Sequence, residues 1–182
     1  MHTRRIECQG FQRDDGLYDI EASLRDITPV ATDMFFKRLD AGDSIHDMRV
    51  VMTVDSALLI HRMEAHTAKG PMEDCQQAGR FYAALEGLRI GPGFKKKVHE
   101  IVGGDKGCTH LTELMGPLAT TAIQTMYAVR RADGVLRRML EGTDPLPRPG
   151  LAGSCHAYRE SGEALKVLWP EHRRDQAVRR PS

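Results

Sequence analysis

The chain has 182 residues, 41% hydrophobic and 28% charged, which suits one globular domain or one domain with an extension. Its formal net charge of +1 gives no global field to draw it to nucleic acid or to an anionic membrane. No apolar run approaches a membrane span, and no signal-like region follows Met1-His2-Thr3-Arg4-Arg5, so a cytoplasmic protein is expected.

Residues 4–26 predict a β-hairpin. Arg4 to Gln12 forms one strand, Asp14-Asp15-Gly16 turns, and the second strand alternates with period two. Tyr18, Ile20, Ala22 and Leu24 share one face, and Asp19, Glu21, Ser23 and Arg25 share the other. Residues 28–43 read as a connector. A third strand, 45–54, carries Met48, Val50, Met52 and Val54 on the face that His46 begins. A fourth strand, 58–66, closes a second hairpin across Asp55-Ser56, and Lys69-Gly70-Pro71 ends the β half.

Helices follow. Between Asp74 and Leu88, Ala78, Phe81, Tyr82 and Leu85 sit on one helical face, which Cys75 extends by a turn. A short helix spans 94–102. The longest covers about 109–132, with Leu111, Leu114, Met115, Leu118, Ala122 and Met126 as its apolar stripe. Pro117 inside it predicts a kink or a split. Another short helix is expected over 135–140. Pro145, Pro147 and Pro149 mark a stiff linker, and Ser154 to Trp169 reads as a third hairpin.

The fold class expected is α+β: an antiparallel sheet from the N-terminal hairpins, helices packed on one face, and a C-terminal β-hairpin. The expected organisation is a core at 1–142, a proline-rich linker at 143–153, the hairpin at 154–170 packed on the core, and a disordered basic tail at 171–182.

Chemistry concentrates at Gly103-Gly104-Asp105-Lys106-Gly107-Cys108-Thr109-His110, where a glycine-rich loop opens the long helix. A thiol at a helix start ionises more readily, and the thiolate is the ligand and nucleophile. Cys8, Cys75, Cys108 and Cys155 are widely spaced with no CxxC pair, so they read as buried hydrophobes or ligands rather than disulfides. Cys75, Cys108, His110 and His46 form a candidate tetrahedral site for zinc or iron, assembled by the fold because no local spacing supports it. Glu113, three residues after His110, is a candidate to orient that imidazole. Cys155 and His156 would face opposite sides of a strand, so one of them at most would join a site.

Three groups of segments resemble a bacterial family of unknown function, DUF2889. They are His2 to Gly10 with Arg13 to Leu17, Ile45 to Met48, and Gly87 to Gly93. The run Gly107-Cys108-Thr109-His110-Leu111-Thr112-Glu113-Leu114, followed by Gly116-Pro117, carries the resemblance most strongly, and Ser154-Cys155-His156-Ala157 looks like a late segment of the same family. Residues 28–44 depart from the pattern, lacking its aromatic-rich stretch. The resemblance implies no activity. A looser similarity of layout is to iron–sulfur scaffold proteins of the NifU/SufU kind, whose ligands lie at places comparable to His46, Cys75, Cys108 and His110. Those proteins use three cysteines, and here only two thiols correspond.

The leading expectation is a cytoplasmic metal-binding protein holding zinc or iron through Cys75, Cys108, His110 and His46. If one coordination position stays open, the metal is catalytic. A second reading is a metal-free lyase or hydrolase acting on a small apolar metabolite, with His46 and His110 as acid and base and Glu113 as orienter. A third is a non-catalytic partner or scaffold protein. The expected partners are a small molecule and further copies of the chain, with neither nucleic acid nor membrane among them.

Overall fold

The computed structural model describes residues 2–35 and 37–174, and the backbone but not the side chains of residues 135 and 136. Four strands form the main sheet: β1 (Thr3–Gln12), β2 (Tyr18–Ile27), β5 (Ser44–Val54) and β6 (Ile60–Lys69). They lie in the order β1-β2-β5-β6, every neighbour antiparallel. Two hairpins, β1–β2 and β5–β6, each close across a short turn, and β5 pairs with β2 after the longer connection of residues 28–43. The first closes as the Arg13 N–H donates to the Leu17 carbonyl. Between β2 and β5, the expected connector folds into a small ladder of β3 (Thr32–Asp33) and β4 (Arg38–Leu39).

Alternation decides the faces. Tyr18, Ile20, Ala22 and Leu24 of β2 and Met48, Val50, Met52 and Val54 of β5 are buried on one side. The other side carries polar cross-strand pairs, with Arg49 bonded to Glu21 at 2.6 Å and Arg25 to Asp47 at 3.1 Å.

Helices cover the apolar side. The segment after β6 departs from the expected α-helix: only α1 (Asp74–Gln77) is α-helical, and Ala78–Leu85 is a 3₁₀-helix. Three residues per turn bring i, i+3 and i+6 to one side, so Gly79, Tyr82 and Leu85 turn inward while Phe81 stays 42% exposed. Gly79 is required by close approach, since a Cβ there would lie 2.1 Å from the Ala65 carbonyl oxygen of β6. Next come α2 (Phe94–Val102), a 3₁₀ turn at Gly104–Lys106, and α3 (Thr109–Ala132). Pro117 does not split α3, which is continuous across it and forgoes the one hydrogen bond that a proline cannot donate.

The start of α3 runs alongside β1. Glu113 meets Arg4, and a Cβ on Gly10 would fall 2.1 Å from the Thr125 hydroxyl. Twelve helical residues rise about 18 Å, and six strand residues about 20 Å, so the two elements stay in step between these contacts.

Contacts group the chain into two compact units, Met1–Tyr127 and Ala128–Ser182. The second contains α4 (Val135–Glu141) and α5 (Glu163–Leu168). The expected C-terminal hairpin does not form. Residues 151–162 make turns, and α5 starts just after Gly162, burying Leu165 and pairing Glu163 with Lys166 at 2.6 Å. Ser161-Gly162, at the middle of the expected hairpin and suited to a turn, is instead the approach to a helix. Cys155 and His156 lie among those turns rather than on a strand. Of the expected tail, Glu171–Arg173 forms a 3₁₀ turn with Arg173 buried, while Arg179 and Arg180 lie outside the described residues. Among the described residues, no helix is long and apolar enough to cross a membrane.

Candidate functional site

The site begins at one end of the sheet, where the apolar face of β2 ends in a carboxylate. Asp26 follows Leu24 on that face and is fully buried. Strand register sets its neighbours: Arg4 of β1 lies opposite on one side and His46 of β5 on the other. The β2–β5 pairing shifts between Asp26 and Ile27, and such irregularities re-aim side chains at sheet ends. The first turn of α3 then brings His110 over this row.

Asp26 accepts four hydrogen bonds. Oδ1 takes Arg4 Nε at 2.8 Å and His2 Nε2 at 3.1 Å; Oδ2 takes Arg4 Nη2 at 2.8 Å and His46 Nδ1 at 2.9 Å. These fill the lone-pair directions of an ionised carboxylate. Burial alone would raise the Asp26 pKa, but the Arg4 and His2 bonds outweigh it and hold the carboxyl below its usual range.

Two imidazoles stand together here. The rings of His46 and His110 are 3.8 Å apart between centroids and tilted by 32°. Burial lowers the pKa of His46 against the opposing pull of Asp26. Burial lowers that of His110 too, helped by His46 and Arg4. Both are thus held as neutral imidazole near pH 7, which permits the close approach. Because the ionised Asp26 only accepts, the His46 proton sits on Nδ1 and leaves a lone pair on Nε2. His110 Nε2 is 3.9 Å from Asp26 Oδ2, beyond a hydrogen bond.

The donor atoms of Asp26, His46 and His110 all lie within 4.8 Å of one another, the one such group of three among the described residues. Glu113 does not orient His110. Its Oε2 accepts from Arg4 Nη1 at 2.5 Å, so Arg4 bridges Glu113 and Asp26. Asp26 orients His46 instead.

The structure places the two expected thiols elsewhere. Cys75 is half-buried beside Gly70, whose Cβ would fall 3.3 Å from its Sγ. Cys108 is half-buried at the start of α3, its backbone clamped by the buried Tyr82: the hydroxyl donates to the Cys108 carbonyl at 2.7 Å and accepts from its N–H at 3.2 Å. The run that marks the loop is thus anchored by its main chain, and His110, two residues further on, reaches the cluster.

Sequence reasoning missed Asp26, Arg4 and His2. A signal for Asp26 existed, because it extends the Tyr18-Ile20-Ala22-Leu24 face by one alternation, and a carboxylate on an apolar face needs a partner. Nothing local marked Arg4 or His2 as that partner.

No curated protein and no solved structure matches the chain. One family does, over residues 2–124, a span that holds every residue of the cluster and stops short of Ser154-Cys155-His156-Ala157. With more than half of its residues matched, the chain belongs to the family described as "protein of unknown function (DUF2889)".

Proposed function

We propose that this protein binds a divalent transition metal, zinc or iron(II), at the His46–His110 pair, with Asp26 as third ligand or as the carboxylate behind His46. The convergence of one carboxylate and two neutral imidazoles from three separate elements carries this reading. Two nitrogens and one oxygen suit zinc and also the two-histidine, one-carboxylate sites of non-haem iron. Charge agrees: the carboxylates of Asp26 and Glu113 against the Arg4 guanidinium leave one negative charge beside neutral rings. The hydrogen bonds already on Asp26 favour its outer role, fixing the His46 tautomer and orientation. A bound metal there supplies Lewis acidity and lowers the pKa of coordinated water. The chain's own contribution is to hold both rings neutral and aligned. Four free thiols fit a reducing cytoplasm.

The test is metal content after loading with zinc or anaerobic iron(II) and desalting. One equivalent per chain is expected, falling at least tenfold in His46→Asn and in His110→Asn. Loading below a tenth of an equivalent, or loading that both variants retain, would falsify the proposal.

A second reading is favoured by the 2.9 Å contact between Asp26 and His46 Nδ1. With its other nitrogen free, His46 is a general base oriented by a carboxylate, and the neutral His110 takes the acid's place as a hydrogen-bond donor to the reacting group. The protein is then a metal-free enzyme for a small metabolite. Activity that persists in chelator with the wild-type chain and vanishes in His46→Asn would select it.

A further inference from the structure

We propose that β1 is a self-association edge: a second copy of this chain pairs with it antiparallel, with Ile6 of each copy on the two-fold axis, so that two sheets join into one.

β1 is ten residues long and, among the described residues, pairs with β2 alone. Apart from half-buried Cys8 it is exposed from end to end, including Ile6 at 39% and Phe11 at 45%. A long strand edge offers unpaired N–H and C=O groups to any matching strand. Its charges choose the match. Alternation puts Thr3, Arg5, Glu7, Gln9 and Phe11 on the solvent face of the sheet. Among the described residues, Arg5 has no carboxylate partner, and Glu7 only accepts from its own neighbour Gln9 at 2.6 Å.

Registers differ in what they place face to face. Centred on Ile6, antiparallel pairing sets Arg5 against Glu7 of the other copy, twice by symmetry, and Thr3 against Gln9. Centred on Glu7, two carboxylates meet; centred on Arg5, two guanidinium groups meet. Centred on Cys8, Arg5 meets Phe11 and neither charge is matched. Like charges directly opposite are unfavourable and opposite charges favourable, so the Ile6 register is preferred.

The helix-side face agrees. Ile6 and Cys8 border an open groove of about 500 Å³, walled by Lys95 of α2 and by Pro117, Thr120 and Thr121 of α3. In the Ile6 register the two Ile6 side chains meet at the mouth of this groove and cover apolar surface that each copy alone exposes. Arg4 takes no part in the pairing, since Asp26 and Glu113 already engage it. The association is independent of any metal.

Sedimentation velocity of the full chain, over a series reaching hundreds of micromolar, tests this. A reversible monomer–dimer equilibrium is expected. Arg5→Glu places four carboxylates at the contact and should raise the dimer Kd by roughly tenfold or more. The charge exchange Arg5→Glu with Glu7→Arg should restore it. In a Cys8→Ser, Cys155→Ser background, which removes the exposed Cys155 thiol, Ile6→Cys should give a covalent dimer on mild oxidation, because opposed Cα atoms at about 4.5–5.5 Å suit a disulfide. The doubly substituted parent should not. A wild-type chain that stays monomeric overturns the proposal. So does a dimer that Arg5→Glu leaves intact, that the exchange fails to restore, or that Ile6→Cys fails to cross-link.

Discussion

Replacing Asp26 by Asn tests the site at its foundation. The change keeps shape and removes charge. Asp26 is fully buried, and its two oxygens accept two Arg4 donors, His2 and His46. An asparagine oxygen replaces at most one side of that set, and its NH₂ group points donors at donors. Removing one partner of a buried ion pair costs about 3–5 kcal/mol. The Arg4 side chain is 32% exposed, so water recovers part of the loss and the low end, about 3 kcal/mol, applies. For a chain of this size that is a fall in Tm of roughly 6–12 °C. Thermal unfolding at neutral pH, followed by circular dichroism or calorimetry, measures it. Nitrogen-15 NMR of the imidazoles adds a local readout, in which His46 should lose its fixed Nδ1–H tautomer. Combining Asp26→Asn with Arg4→Met should recover part of the loss, since the stranded guanidinium is gone. A Tm within about 3 °C of wild type, with the His46 tautomer unchanged, would refute the reasoning.

Stability should fall with pH in two stages. The folded chain holds His46 and His110 below their ordinary pKa, so the unfolded chain binds more protons as pH drops through about 6.5. Asp26, held below the usual carboxylate range, adds a second loss that begins near pH 4. Stabilisation is therefore full above about pH 7, and a Tm that rises on going from neutral to mildly acidic solution contradicts the assignment. Tyr82→Phe removes the acceptor of the Cys108 N–H and should cost about 1–3 kcal/mol by chemical denaturation; a change within error would mean that the clamp is not needed. Gly79→Ala forces a Cβ against the Ala65 carbonyl and should destabilise by more than the helix-propensity gain of about 1 kcal/mol; a variant more stable than wild type would show that the 3₁₀ segment can shift away. In the second unit, Arg173 donates to the carbonyls of Met139, Leu140 and Asp144. Arg173→Met should raise proteolytic cleavage within 128–174 while leaving cleavage of the sheet unchanged, and equal protection throughout would count against that role.

Much of the architecture was legible because its causes are local. The period of two in Tyr18-Ile20-Ala22-Leu24 and in Met48-Val50-Met52-Val54 specifies strands with one buried face, whatever they pair with. The apolar stripe from Leu111 to Met126 specifies α3, and its packed face holds the helix through Pro117. The inward position of His46 also followed from alternation. Where local signals were ambiguous, tertiary contacts decided. The helical spacing after Asp74 was satisfied by a 3₁₀ turn because Gly79 lies against β6. Ser161-Gly162, equally good as a hairpin turn or a helix entry, became the latter when Leu165 was buried.

The sequence by itself determined the α+β class, the family, and two of the three residues of the cluster. Only the tertiary structure decided which groups meet. A hydrogen-bonded carboxylate, a guanidinium and two imidazoles come from β1, β2, β5 and α3, and their encounter depends on strand register and on the seat of one helix. Neither quantity is encoded within a window of neighbouring residues. That is why Cys108 and Cys75 looked like partners of His110 in the sequence, whereas the fold gathers Asp26 with His46 and His110.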